Sequence, residues 1–108
     1  MIQRGDIRWL QANAPAKRRP VLVLGREDVL SSLGEIPVIP FSTQIRNLPW
    51  EVRCSEADGL RGVCVLKPEW IRSVDRNVLG PWLARLPDNR WDEVRTALLD
   101  VLGLESRR

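Results

Sequence analysis

Apolar residues recur along this chain in short blocks separated by turn-forming residues, and only near the end does the spacing become helical. The clearest block is Val21-Leu22-Val23-Leu24, four unbroken aliphatic residues between Pro20 and Gly25. A half-solvated strand alternates apolar and polar positions, so this run predicts a strand buried on both faces. Before it, residues 4–10 alternate loosely, with Ile7 and Trp9 on one face and Arg8 on the other, a first strand opening at Gly5-Asp6. Residues 27–34 suit one or two helical turns stopped by Gly34. Residues 36–45 are strand-like but contain Pro37 and Pro40, which predicts an edge or a bulge and a bend that re-aims the strand end.

After a turn at Asn47-Leu48-Pro49, residues 50–54 alternate as a fourth strand, and residues 55–62 hold the Asp58-Gly59 pair of a hairpin connection. Residues 63–66 form a fifth apolar run. Lys67-Pro68-Glu69 breaks it, and residues 70–75 form another short strand. Residues 79–86 mix strand character with the breaker Gly80-Pro81 and are ambiguous. Asp88 then reads as an N-cap, with Asp92 and Glu93 in the first turn, where the helix dipole favours anions. Trp91, Val94, Leu98 and Val101 recur at helical spacing, Ala97 and Leu102 widen the stripe, and Gly103 is the stop, so the chain ends in an amphipathic helix of about four turns. Many short strands followed by one long helix predict an α+β fold, a small twisted β-barrel with a C-terminal amphipathic helix. At 108 residues there is room for one domain, 1–108, with a single modest core.

Composition narrows the function classes. Hydrophobic content of 44% and charged content of 29% are those of a globular chain. No apolar run reaches the ~20 residues of a membrane span and no secretory leader follows Met1, so a cytoplasmic protein without a membrane partner is expected. Two cysteines, Cys54 and Cys64, with no histidine, exclude a disulfide scaffold and the common Cys/His zinc spacings. No metal or other cofactor is expected, and acid–base work falls to carboxylate, Lys, Arg or hydroxyl groups.

The net charge of +3 is modest, but its distribution is not. Over residues 1–26 six cations (Arg4, Arg8, Lys17, Arg18, Arg19 and Arg26) face the single anion Asp6. Arginine forks onto phosphate and stacks on bases, which suits RNA. Arg19 stands at the mouth of the rigid 21–24 strand, where a cation can be aimed; a solvated cluster guarding a hydrophobic strand is the competing reading. Ser42 and Thr43 follow the proline-bent strand, where a hydroxyl commonly satisfies a local backbone group. Trp50, beside Pro49, is the best candidate for base stacking. Trp9 and Trp91 suit the core, and Trp70 and Trp82 suit a subunit interface. Arg72, Asp75 and Arg76 read as a structural ion-pair cluster.

Five segments occur in order: Arg4-Gly5-Asp6-Ile7, Arg19-Pro20-Val21-Leu22-Val23, Pro40-Phe41-Ser42-Thr43, Ile71-Arg72-Ser73-Val74-Asp75-Arg76, and a Leu-Gly-Leu ending at Leu104. None is specific alone; together, over nearly the whole chain, they resemble the MazF/PemK family of toxin endoribonucleases, the mRNA interferases of bacterial toxin–antitoxin pairs. The resemblance implies an SH3-like barrel of the CcdB/PemK type, and a homodimer that cleaves single-stranded RNA at short sequences without metal. The family's catalytic arginine falls on Arg19 and its catalytic hydroxyl on Ser42, with Thr43 one residue away. A basic and an acidic residue used by some members fall on Lys67 and Glu69, the latter the candidate base; an exposed ion pair beside Pro68 is the competing reading. Lys17, Arg18, Thr43, Gln44, Arg46 and Trp50 complete an expected RNA-binding set. The cognate antitoxin is expected to fold an acidic, partly disordered tail across the basic face. The chain departs from the family in a short first loop, residues 11–17, and in Arg8, where many members have an aromatic.

Two other functions share these features. Gyrase-poisoning toxins of the same fold end in Trp-Gly-Ile, whereas this chain ends Glu105-Ser106-Arg107-Arg108. A non-catalytic RNA-binding barrel would keep the basic face without needing Ser42.

Overall fold

Strand β3, Glu35–Ser42, is the spine of the sheet. The computed structural model describes residues 1–11 and 18–104, so Lys17, the rest of the first loop and the C-terminal tail lie outside the described residues. On one side β3 pairs with β2, Arg19–Val23. On the other, its first half pairs with β6, Arg72–Asp75, and its last two residues with β5, Cys64–Leu66. Beyond β2 lie β1, Asp6–Leu10, and then β7, Leu79–Arg85; beyond β5 lies β4, Val52–Cys54. Every pairing is antiparallel. The result is a curled half-barrel sheet with a C-terminal helix, in the α+β class as expected.

The two prolines do not put β3 at an edge. Antiparallel residues direct N–H and C=O the same way, so each carbonyl shows where the missing N–H would point. The Pro37 carbonyl accepts from the Leu24 N–H, just past the end of β2. The Pro40 carbonyl accepts from the Lys67 N–H, where β3 leaves β6 and takes up β5. Both missing donors fall at strand ends, which is why a central strand tolerates them. The predicted bend is this change of partners.

Val21, Leu22 and Val23 are fully buried, and alternate residues serve opposite faces, as the unbroken run predicts. Leu22 joins a main core with Ile7, Ile39, Phe41, Leu66 and Leu86. Val21 and Val23 join a smaller cluster with Leu30, Ile36, Val38 and Val74. Helix α1, Glu27–Leu30, is a single turn. Helix α2, Trp91–Val101, closes the main core with Val94 and Ala97. It starts later than its sequence suggests: Asp88–Arg90 forms a 3-10 turn, and Arg90 precedes α2 with no side-chain cap. Gly103 ends the helix region at φ +69°, a left-handed position that favours glycine.

The ambiguous segment 79–86 is strand β7. It lies at the outer end of the sheet, an edge position of the kind that accommodates Pro81. Gly80 packs so closely that a Cβ there would meet the Trp9 carbonyl oxygen at 3.0 Å. The predicted Arg72–Asp75–Arg76 ion pairing does not form. Instead Arg76 donates to the carbonyls of Leu30 and Leu33 (3.3 and 2.6 Å), and Asp75 accepts from the Asn77 N–H at 2.8 Å.

Candidate functional site

The β2–β3 register places Val21 opposite Pro40. Continued two residues toward the strand ends, it sets Arg19 across from Ser42, on one face of the sheet. Both line a cleft of about 650 Å³ with Arg18, Pro20, Phe41, Thr43, Gln44 and Cys64. The core residues behind them make β2 rigid, while Arg19 itself is exposed. Among the described residues Arg19 has no carboxylate partner, unlike Arg8, Arg85 and Arg90. Ser42, the last residue of β3, is 9% exposed, and its Oγ accepts the Gln44 N–H at 3.1 Å. The local backbone bond expected for such a hydroxyl is therefore present. It uses a lone pair of Oγ and leaves the O–H free to donate toward the cleft.

Of the expected RNA-binding set, Arg18, Thr43 and Gln44 line the cleft. Arg46 donates to the Gln44 side-chain oxygen at 3.4 Å. Trp50 is not at the cleft; it packs against the main core, and its indole N–H is buried with no partner among the described residues. Lys67 and Glu69 also stand outside the cleft lining. Lys67 is 2% exposed, its Nζ 2.7 Å from Glu51 and 3.3 Å from Glu69, so the pair is not the exposed one that its sequence context suggests.

Glu51, which sequence reasoning passed over, is the centre of this arrangement. Its carboxylate also accepts the Arg46 and Leu48 N–H groups, at 3.1 and 3.4 Å. The buried ammonium thus anchors, through Glu51, the loop that begins with Thr43 and Gln44. Hydrogen bonding from Lys67 holds the Glu51 carboxyl below its ordinary range against the opposing effect of burial. Burial pulls Lys67 down, but Glu51 and Glu69 together outweigh it and raise the ammonium's pKa. The one available signal was a lysine closing an apolar run, which demands a buried counter-ion.

Cys54 and Cys64 are cross-strand partners, buried and free, as expected of thiols in this pattern. Burial pushes them up to about 12 and about 11. Although Cys64 lines the cleft, a thiol that stays protonated is a poor nucleophile there. Among the described residues no group of three or more His, Cys, Asp or Glu is placed to hold a metal ion. Trp9 suits the core by its sequence context, yet it is only half-buried and carries two guanidinium groups against its ring, from Arg18 and Arg61. Trp91 does pack on the core, under Arg4. Trp70 and Trp82 are exposed at 41% and 57%.

Residues 3–102 match the profile of the PemK-like, MazF-like toxin of type II toxin–antitoxin systems. Over 96 residues, 88% of this chain and 87% of the relative, the sequence is 34% identical to the probable endoribonuclease MazF5 of Mycobacterium tuberculosis. The fold superposes on the M. tuberculosis toxin MazF-mt6 with a TM-score of 0.85 at 27% identity, covering 94% of this chain and 99% of that one. It superposes on a MazE–MazF crystal structure from Deinococcus radiodurans with a TM-score of 0.80 at 29% identity, covering 94% and 96%. With the profile spanning almost the whole of the described chain and a curated relative above 30% identity, the chain belongs to the PemK-like, MazF-like toxins of type II toxin–antitoxin systems.

Proposed function

We propose that this toxin is a sequence-specific endoribonuclease that cleaves single-stranded RNA in the cytoplasm without a metal ion. The observation that carries the reading is Arg19, a guanidinium with no carboxylate partner among the described residues, lining one cleft with the Ser42 hydroxyl from the ends of adjacent strands. The substrate's 2′-hydroxyl attacks the neighbouring phosphorus, the P–O5′ bond breaks, and the products are a 2′,3′-cyclic phosphate and a 5′-hydroxyl. Negative charge gathers on the phosphorane oxygens, where Arg19 meets it with a fork and Ser42 with an O–H donor. Arginine stays protonated up to about pH 12 and does not serve as the base. Among the described residues no carboxylate lines the cleft, so the 2′-hydroxyl proton passes to water or to a phosphate oxygen, the departing O5′ takes its proton from water, and Lys67 and Glu69 act from behind the β3–β4 loop.

Cleavage of a mixed-sequence RNA tests this directly. Products with cyclic phosphate ends are expected to form at an undiminished rate in excess EDTA. Activity lost in EDTA and restored by magnesium would overturn the mechanism, and binding without cleavage would favour a non-catalytic RNA-binding barrel.

The working unit in this reading is a homodimer, with the exposed Trp70 and Trp82 available as interface area. Its antitoxin presents an acidic segment that covers the basic cleft. Light scattering at micromolar concentration is expected to give twice the chain mass; a monomer there would count against the dimer.

A further inference from the structure

We propose that Arg61, stacked with Arg18 on Trp9, forms a second phosphate subsite that holds the RNA backbone beside the bond Arg19 faces. This rests on the endoribonuclease reading and extends it. The three residues come from distant parts of the chain: Trp9 from β1, Arg18 from the entry to β2, Arg61 from the β4–β5 connection. The Arg18 and Arg61 guanidinium carbons lie 4.9 and 5.1 Å from the centroid of the same indole ring. Both side chains are on exposed residues, and among the described residues neither makes an ion pair or a hydrogen bond.

No other ring among the described residues carries two guanidinium groups; Arg4 alone lies over Trp91. Arg8, Arg26, Arg85, Arg90 and Arg95 each have a carboxylate partner, and Arg76 is spent on backbone carbonyls. Two like charges gathered at one ring raise the local positive potential, which an anion bound beside them relieves. Stacking fixes the planes of the guanidinium groups but occupies only their faces. Their N–H edges stay free for the bidentate contacts that match a phosphodiester. Arg18 also lines the cleft with Arg19 and Ser42, so the subsite is continuous with the reacting centre. An acidic peptide would satisfy the charge. Continuity with the cleft favours the RNA backbone, which must run past Arg19 in any case.

The test uses the full chain, a cleavable RNA oligonucleotide for kcat and KM, and its 2′-deoxy analogue for Kd at several salt concentrations. Arg61→Ala is expected to raise KM and Kd about 5–10-fold, the upper range of one ordinary hydrogen bond as suits a solvated contact, with kcat moving far less. The slope of log Kd against log salt is expected to fall by about 0.7, one single-strand phosphate. Arg61→Lys keeps the charge without the fork and restores only part of the loss. The Arg18→Ala/Arg61→Ala double variant is expected to lose less than the product of the single losses, because both groups share one phosphate. Unchanged Kd and salt slope in Arg61→Ala, with wild type binding and cleaving normally, would overturn the subsite. So would a loss confined to binding of an acidic peptide. A wild-type protein that neither binds nor cleaves RNA would instead overturn the endoribonuclease reading.

Discussion

Lys67→Met is expected to lower the free energy of unfolding by ~3–5 kcal/mol, the cost of leaving a buried charge without its partner. The lysine stem continues the apolar run of β5, and its ammonium lies between Glu51 and Glu69 with almost no solvent. Methionine fits the stem but strands two carboxylates, one of which has a buried oxygen, Oε1 of Glu69, already without a hydrogen-bond partner. Urea titration reads the loss as a lower midpoint at unchanged slope. The Lys67→Met/Glu51→Gln variant is expected to recover a large share, since glutamine still accepts the Arg46 and Leu48 N–H groups while carrying no charge. A single variant as stable as wild type would show that the ion pair contributes nothing.

The same pair fixes a pH window. Glu51 titrates lower in the folded protein than its ordinary 4.5, so its contribution is present above that value and is lost as acid carries the pH through the folded pKa. Lys67 titrates higher than its ordinary 10.5, so its contribution is complete below that value and is lost as base carries the pH through the folded pKa. Stability from this pair is therefore flat between about 4.5 and 10.5 and falls on either side. In Lys67→Met the acid limb disappears, because protonating Glu51 then relieves an unpaired charge.

Elements with a strong local pattern were legible from the residues alone. The run at 21–24 reads as doubly buried because no polar residue interrupts it, and the α2 stripe reads as helical because Val94 and Ala97 face one core. The edge position suggested by Pro37 and Pro40 and the ambiguity at Pro81 share one cause. A proline reports a missing donor, but only the tertiary partners reveal whether that donor had anything to bind. At β3 the gaps coincide with changes of neighbour; at β7 the gap lies at the sheet's outer end.

The candidate site divides in the same way. Arg19 and Ser42 were legible because each sits at the end of a strand that is itself legible, and antiparallel pairing brings those ends together. Lys67 and Glu69 looked like surface chemistry because the second counter-ion of Lys67, Glu51, alternates with Trp50 and Val52 as though facing solvent. The Trp9 platform was hidden because Arg61 reaches it from a hairpin connection that carries no signal of its own beyond turn residues. Trp50 shows the converse: an aromatic beside a proline suggests exposure, and the fold half-buries it against the main core.

Arg19→Ala is expected to cut saturated cleavage by ~10²–10³, equivalent to ~3–4 kcal/mol of lost transition-state stabilisation. The contact with the phosphorane strengthens as charge develops, so affinity for the uncleavable 2′-deoxy analogue changes much less. Arg18, the adjacent cation in the same cleft, is the internal control. It stands outside β2 against the Trp9 ring, placed to grip the backbone and not the reacting phosphorus, so Arg18→Ala weakens binding and lowers the salt slope while turnover at saturation stays near wild type. Ser42→Ala should follow Arg19→Ala, because Ser42 presents its free O–H into the cleft from the buried end of β3, whereas Thr43→Ala should be mild. Stability is a poor explanation for any such loss at Arg19, an exposed side chain with no ion pair among the described residues. If Arg19→Ala instead weakens binding as Arg18→Ala does and leaves saturated turnover alone, Arg19 is one more phosphate contact and the charge of the transition state is met elsewhere.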